Sequence, residues 1–295
     1  MPEHRHVDES GFAGHTVSNA AGVRARVLAN GALESLSVGP IMVNLLVGSP
    51  VGGGATKLYG RTRDAQGRVA AWKDLLSGAR VETKDDALVW RGVFAQHPYA
   101  VALALHPEHT AWRWTVTWDG PGDFDAVLVQ DVGVASRGQS QNNEAYTSQY
   151  IDHRVLDHPE HGPVVMARQN LVQPGGHPWV MHACVDGAAG VATDGLGFFG
   201  PSHRTTAVPE LIASTDWPHA VLQHEWSMHA LCSAVRRDEG PIVFTGVFVA
   251  DHPEASAAAD LARLDSARDW PAIARVAPPQ DHDPEGGEAL SLIHI

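Results

Sequence analysis

The stretch Ala111–Trp118, AWRWTVTW, alternates bulky apolar and polar side chains with a period of two, and that period decides the class of fold. On an extended strand it puts Trp112, Trp114, Val116 and Trp118 on one face and Arg113, Thr115 and Thr117 on the other. An indole row can serve as a sugar platform, but left in water it is an aggregation hazard, so a buried core face is the favoured reading. Burial contributes roughly 25 cal/mol per Å² of apolar surface removed from water. Similar short runs fill most of the chain: VRARVLA, LESLSV, PIMVNLLV, KLYGRTR, LVWRGVF, AVALAL, AVLVQDVGV, WVMHACV, GVATD, LGFFG, AVLQHEWSMHAL and IVFTGVFV. The last reads as a strand buried on both faces. Asn30-Gly31 between two alternating runs signals a hairpin, and glycine and proline punctuate the whole. The pattern predicts an all-β fold, a two-sheet antiparallel sandwich over residues 1–250 whose first dozen residues are loose.

A single segment has a helical period. From Pro253 to Trp270, Ala258, Leu261, Leu264 and Ala267 make an apolar stripe, with Pro253 suited to the first turn and Glu254 to the helix dipole. Residues 251–272 are therefore expected to form one linker helix. Residues 273–295 read as a disordered linker, APPQDHDPEGGEA, and a tail, LSLIHI, that resembles translated sequencing adapter.

The formal charge of −13 excludes nucleic acid and anionic membrane, which need a basic stripe, and is compatible with a neutral partner. Cys184 and Cys232 are the only cysteines, each inside an apolar run, so no disulfide framework is expected. No apolar leader and no stretch of membrane-spanning length is visible, and a soluble, cytoplasmic chain is expected. Gly52-Gly53-Gly54 lacks the Lys-Ser/Thr pair of a phosphate loop and reads as a flexible turn.

Directed polar chemistry concentrates between Gln141 and Asn170. Asn142, Asn143, Glu144, Gln149, Asp152, Arg168, Gln169 and Asn170 are interleaved with Tyr146 and Tyr150, two of only four tyrosines. Amide and carboxylate groups beside aromatic faces suit a sugar, whose hydroxyls want donors and acceptors and whose C–H faces want an apolar platform. A long polar loop whose Asn-Asn-Glu caps a turn accounts for the same residues. Histidine is abundant, but His224, Glu225 and His229 do not have zincin spacing, and prolines and glycine between His153, His158 and His161 suggest turns; no metal is expected. The recurring His-Pro-Glu at 106, 158 and 252 reads as turn and cap chemistry. No paired carboxylates for glycoside chemistry can be picked out.

NEAYTSQYIDHRV, followed by GPVVMARQN and GVATDGLGFFG, resembles the N-terminal domain of glycoside hydrolase family 94, in particular its 1,2-β-oligoglucan phosphorylase branch. LESLSVGPIMVNLLVGSPVGGGATKLYGRTR resembles that branch's opening hairpins, and FVADHPEASAAADL its exit into the linker helix. The resemblance implies a galactose-mutarotase-like β-supersandwich that precedes a catalytic (α/α)₆ barrel, which holds the general acid and the phosphate site. The chain stops where the barrel would begin, so it looks like the first domain of a truncated phosphorylase. The resemblance implies no catalytic residue here, no cofactor beyond inorganic phosphate as co-substrate of the whole enzyme, a β-glucan oligosaccharide partner, and a homodimer. Asn142, Asn143 and Glu144 would reach the sugar, Tyr146 and Tyr150 would pack behind them, and Gln149, Asp152, Arg168, Gln169 and Asn170 would brace the loop. A stand-alone carbohydrate-binding or mutarotase-like sandwich, which would need a histidine and a carboxylate facing each other, and a purely structural domain both stay open.

Overall fold

The computed structural model describes residues 13–237, 240–252, 256–267 and 270. Its strands are β1 (Gly14–Ser18), β2 (Val23–Leu28), β3 (Leu33–Val38), β4 (Ile41–Met42), β5 (Lys57–Arg63), β6 (Val69–Asp74), β7 (Arg80–Lys84), β8 (Ala87–Phe94) and β9 (His97–Leu105). They continue with β10 (Ala111–Trp118), β11 (Phe124–Asp131), β12 (Ala135–Ser136), β13 (Ile151–His158), β14 (Gly162–Gln169), β15 (Trp179–Cys184), β16 (Ala188–Asp194), β17 (Ser227–Ser233) and β18 (Ile242–Val249). The helices are α1 (Arg137–Asn142), α2 (Glu144–Gln149), α3 (Gly195–Phe199), α4 (His203–Thr206), α5 (Glu210–Ala213) and α6 (Ala257–Ser266).

The strands form an eight-stranded sheet, β13-β14-β15-β18-β10-β9-β8-β7, and two five-stranded sheets, β1-β2-β3-β4-β12 and β16-β17-β11-β5-β6. Their ladders are antiparallel, as the alternation predicts. One continuous core draws on all three sheets: Val23, Ala25 and Leu36 from the first small sheet, Leu58, Leu128 and Leu231 from the second, and Trp90, Leu103, Trp112, Trp114, Val180 and Phe244 from the large one. The layer facing the large sheet is thus split between two small sheets, where the sequence pattern suggested one. Trp112 and Trp114 are fully buried, while Trp118 is partly buried and stacks on Phe124 at 4.8 Å. Gly246 of β18 faces Trp112 across the ladder, and a Cβ there would overlap the indole. The β2–β3 hairpin turns at Asn30-Gly31, with Gly31 at φ +86° and its carbonyl accepting a 2.9 Å bond from Trp90 Nε1.

Outer faces are covered too. The outer side of the second small sheet, with Tyr59, Val127, Val129 and Ala230, packs against Phe198 of α3, Ile212 of α5 and Trp217. Beneath α5 lies Arg61, fully buried; its Nε binds Asp125 Oδ1 at 2.5 Å and its Nη1 binds the Leu211, Ile212 and Ser214 carbonyls. Asp125 also receives Arg63. On the large sheet, Leu264 of α6 and its C-cap Ala267 cover Val164, Met166, Trp179 and Met181, and Trp270 packs beside Ala87, Val89, Ala102 and Ala104.

Three expected strands differ. LGFFG is helix α3, because Asp194 caps it. PIMVNLLV pairs only at Ile41–Met42, because buried Asn44 accepts the Leu36 N–H and donates to the Glu34 and Leu46 carbonyls in place of a ladder. AVLQHEWSMHAL enters the sheet only at Ser227. α1 and α2 replace the expected loop, and the linker helix spans Ala257–Ser266 with Ser256 as its cap. Pro253, Glu254, the first dozen residues and the expected linker and tail at 273–295 lie outside the described residues. Among the described residues no helix is long and apolar enough to cross a membrane.

His153 of β13, His182 of β15 and His229 of β17 meet between the large sheet and a small one. His182 Nδ1 and His229 Nδ1 lie 2.7 Å apart, so one donates to the other, and the His153 and His229 rings are 5.4 Å apart. Burial pushes His153 down to about 4 and His182 down to about 3, and sets His229 well below its ordinary value, with the neighbouring imidazoles adding to that last shift. Asp152 and Asp194 oppose the shift on His153. These rings protonate in the unfolded chain near the ordinary value of 6.5 and resist it when folded. Their contribution is therefore complete above that pH and is lost as pH falls through the window below it, by up to about 1.4 kcal/mol per ring per pH unit. Urea unfolding should show a midpoint that drops between pH 7 and pH 5, and a His182→Leu variant should give a shallower slope.

Candidate functional site

Two adjoining cavities open between the α1–α2 segment and residues 223–226. One, of about 350 Å³, is lined by polar groups including Glu144, Gln149, His153, Gln223, His224 and Glu225. The other, of about 670 Å³, carries Tyr59, Phe198, Phe199, His203 and the Gly52–Gly54 turn. They share Leu45, Glu144, Trp226 and Ser227. The result is one groove with a hydrogen-bonding half and an aromatic half.

The wall of the groove depends on Asp194. Its buried carboxylate accepts four backbone N–H groups, from Leu196 and Gly197 at the start of α3 and from His224 and Glu225 of the same wall. Gly195 N adds bonds of 2.7 Å to the Glu225 carbonyl and 3.0 Å to that of Trp226. Thr193 secures Leu222 at both its N–H and its carbonyl. Trp226 follows with φ +43°, a left-handed conformation that is costly for a bulky residue; the residue is 47% exposed, and its ring lies 5.7 Å from that of Phe199. This break in extended backbone is why the expected strand does not form before Ser227.

The opposite wall is α2. Asn143 is its N-cap, accepting from Tyr146 N at 3.0 Å, while Thr147 Oγ1 donates to the Asn143 carbonyl. Ser148 Oγ accepts from Ser227 N, joining the helix to the far wall. Glu144 is exposed and lines both cavities, Gln149 lines the polar one, and Asn142 and Asn143 are exposed beside them. Tyr146 and Tyr150 are not packed behind these residues as expected. They stand 44% and 39% exposed with rings 4.8 Å apart, and their mutual hydrogen bond holds the Tyr146 phenol above its usual range. A two-turn helix leaves them no second layer to enter.

The remaining residues of the polar stretch lie on β13 and β14 or just beyond. Gln169, fully buried, donates from Nε2 to the Gly133 and Thr147 carbonyls and so fixes the floor under α2. Arg168 donates to the His252 carbonyl and to Asn170 Oδ1, and Asp152 pairs with Arg154 at the surface. Behind the aromatic half, Asp131 accepts from Leu46 N and Thr56 Oγ1, and burial pushes its carboxyl up.

A histidine and carboxylates do share the polar cavity. His153, however, is held neutral by burial and bonds Ser227 Oγ at 2.8 Å, and Asp194 is committed to backbone, so neither is poised as an acid. Elsewhere His158, His161 and Asp265 bring ligand atoms within 4.8 Å of one another, although turns were expected to separate the histidines. His158 Nδ1 accepts from Glu160 N and His161 N, which places its proton on Nε2, facing Asp265 Oδ1 at 3.1 Å. That tautomer makes the group a hydrogen-bonded latch on α6 rather than a metal donor set. His106 Nδ1 accepts from Glu108 N and His109 N in the same way, so the His-Pro-Glu recurrence is turn chemistry at both places.

Trp226 and its neighbours escaped sequence reading because they sit inside an alternating run. An available clue was Asp194 followed by Gly195, a helix-cap signal inside VATDGLGFF. An Asp194→Asn variant should leave two part-buried N–H groups facing an amide donor, because each carboxylate oxygen accepts two. Urea denaturation should show a loss of about 2–4 kcal/mol, given roughly 1–3 kcal/mol for each unsatisfied buried group.

The family profile described as the SOGP N-terminal domain matches residues 26–245, a span that includes both groove walls. Over 238 residues the chain is 30% identical to a 1,2-beta-oligoglucan phosphorylase of Listeria innocua serovar 6a, covering 81% of this chain and 22% of that protein. Among solved structures it is similar to a bacterial glucoamylase in complex with acarbose, with a TM-score of 0.55 at 9% identity over 87% of this chain and 35% of the other. A galactose mutarotase-like protein from Lactobacillus casei ATCC 334 aligns at a TM-score of 0.35 and 10% identity, over 80% of this chain and all of that one (100%). At 9% identity the glucoamylase likeness concerns fold alone, whereas the profile match runs from β2 into β18, and on that ground the chain belongs to the SOGP N-terminal domain family.

Proposed function

We propose that this chain is the non-catalytic N-terminal domain of a glycoside phosphorylase acting on β-glucosides. The whole enzyme would carry out reversible phosphorolysis of β-1,2-gluco-oligosaccharides to α-glucose 1-phosphate, in the cytoplasm and as a homodimer. Inorganic phosphate would be the co-substrate, with no further cofactor. The acid and the phosphate site belong to a barrel outside this chain. The domain's part is to bind the oligosaccharide, and the observation that carries this reading is the groove itself. Glu144, Gln149, Gln223 and Glu225 offer several directed polar groups beside an exposed indole, the combination that a glucosyl unit requires.

The chain incubated with β-1,2-glucan oligomers and phosphate should release no glucose 1-phosphate; turnover abolished by changing one carboxylate of this chain would place catalysis here instead. Asn143 caps α2, so its loss should cost about 0.5–2 kcal/mol of stability and is a poor probe of sugar contact. Glu144 caps nothing by its side chain and faces the groove. In a full-length homologue, the Glu144→Gln equivalent should raise KM for long oligosaccharides roughly tenfold while leaving Tm unchanged. An unchanged KM would point to a purely structural domain.

A further inference from the structure

We infer that the groove is a multi-subsite cradle for a linear oligosaccharide, with Trp226 as the stacking platform shared by its two halves. The inference rests on the carbohydrate reading above and adds a mode of binding to it. Three observations carry it, beginning with the position of Trp226. It lines both cavities, so a chain passing from the polar half to the aromatic half crosses its ring.

The second observation is the backbone. A left-handed tryptophan persists only where its surroundings over-determine it, and here the Asp194 carboxylate and Gly195 N hold residues 224–226 with four hydrogen bonds. A core role cannot account for that arrangement, because the residue is 47% exposed. The third is the asymmetry of the lining. Beyond Trp226 lie Phe199 and His203, with rings 4.7 Å apart, and Tyr59, whose hydroxyl stays protonated because burial raises its pKa. On the near side lie Glu144, Gln149, Gln223 and Glu225. A β-glucan alternates the same two demands along its length, apolar C–H faces and rims of hydroxyls. Cavities of about 350 and 670 Å³ leave room for more than one glucosyl unit.

The test is calorimetric titration of the full 295-residue chain with β-1,2-, β-1,3- and β-1,4-linked gluco-oligosaccharides of two to five units. Affinity should rise at least about tenfold between two and four units. Trp226→Ala should lose that gain, whereas Trp226→Tyr should keep most of it, with near-UV circular dichroism and Tm reporting that each variant is folded. Binding of β-1,2 oligomers that ignores chain length and survives Trp226→Ala would overturn the cradle and leave the proposed function standing. Trp226-dependent, length-dependent binding confined to another linkage would support the cradle and remove the β-1,2 assignment. Absence of binding to every oligosaccharide would overturn both, and would assign the exposed Trp226, Leu222 and Leu196 to a protein contact instead.

Discussion

One carboxylate governs the shape of the groove. Asp194 ends β16, starts α3 and ties down His224 and Glu225, so two contiguous elements and a segment thirty residues further along are referred to a single pair of oxygen atoms. Four backbone N–H groups converging on one carboxylate are jointly rigid, because each fixes the geometry that the others need.

A second buried charge supports the same region from below. Arg61 sits midway along β5 of a small sheet, paired with Asp125 and donating to the carbonyls at the end of α5. A buried ion pair is weak evidence for net stability, since desolvation offsets much of the attraction. Its value here is directional. A short helix has unsatisfied carbonyls at its C-terminus, and a planar guanidinium with five donors can meet several of them where an apolar residue could meet none. The lid over the outer face of that sheet is thereby held in one place by polar contacts, and Phe198 and Trp217 pack against the sheet on that fixed frame.

How legible all this was in sequence follows from the range of each interaction. The Trp112–Trp118 period, the Asn30-Gly31 hairpin and the Leu261 and Leu264 face of α6 are local and lie where the pattern put them, although Ala258 is exposed. Side-chain substitutes for backbone pairing are not legible in a period. Asn44 and Asp194 convert runs that look like strands into coil and helix by capturing N–H groups, and only the fold brings those groups within reach. The histidines at 153, 182 and 229 belong to three separate strands, and nothing in their spacing brings them together. The polar stretch from 141 to 170 was conspicuous in composition, yet its residues divide: Glu144 and Gln149 face the groove, while Gln169 and Arg168 serve the backbone. Composition locates such a stretch; the hydrogen-bond partners sort it.

The three His-Pro-Glu words have one more property in common. His158 reaches Asp265, His252 reaches Asp260 at 2.7 Å, and the His106 ring lies 5.1 Å from Trp270. Each therefore meets the same C-terminal segment, from a different turn of the large sheet. Mechanically, α6 is a strap fastened at two points across the sheet's outer face. A torque applied to it would be shared between the β13–β14 turn and the end of β18, so those strands would answer together and not one by one.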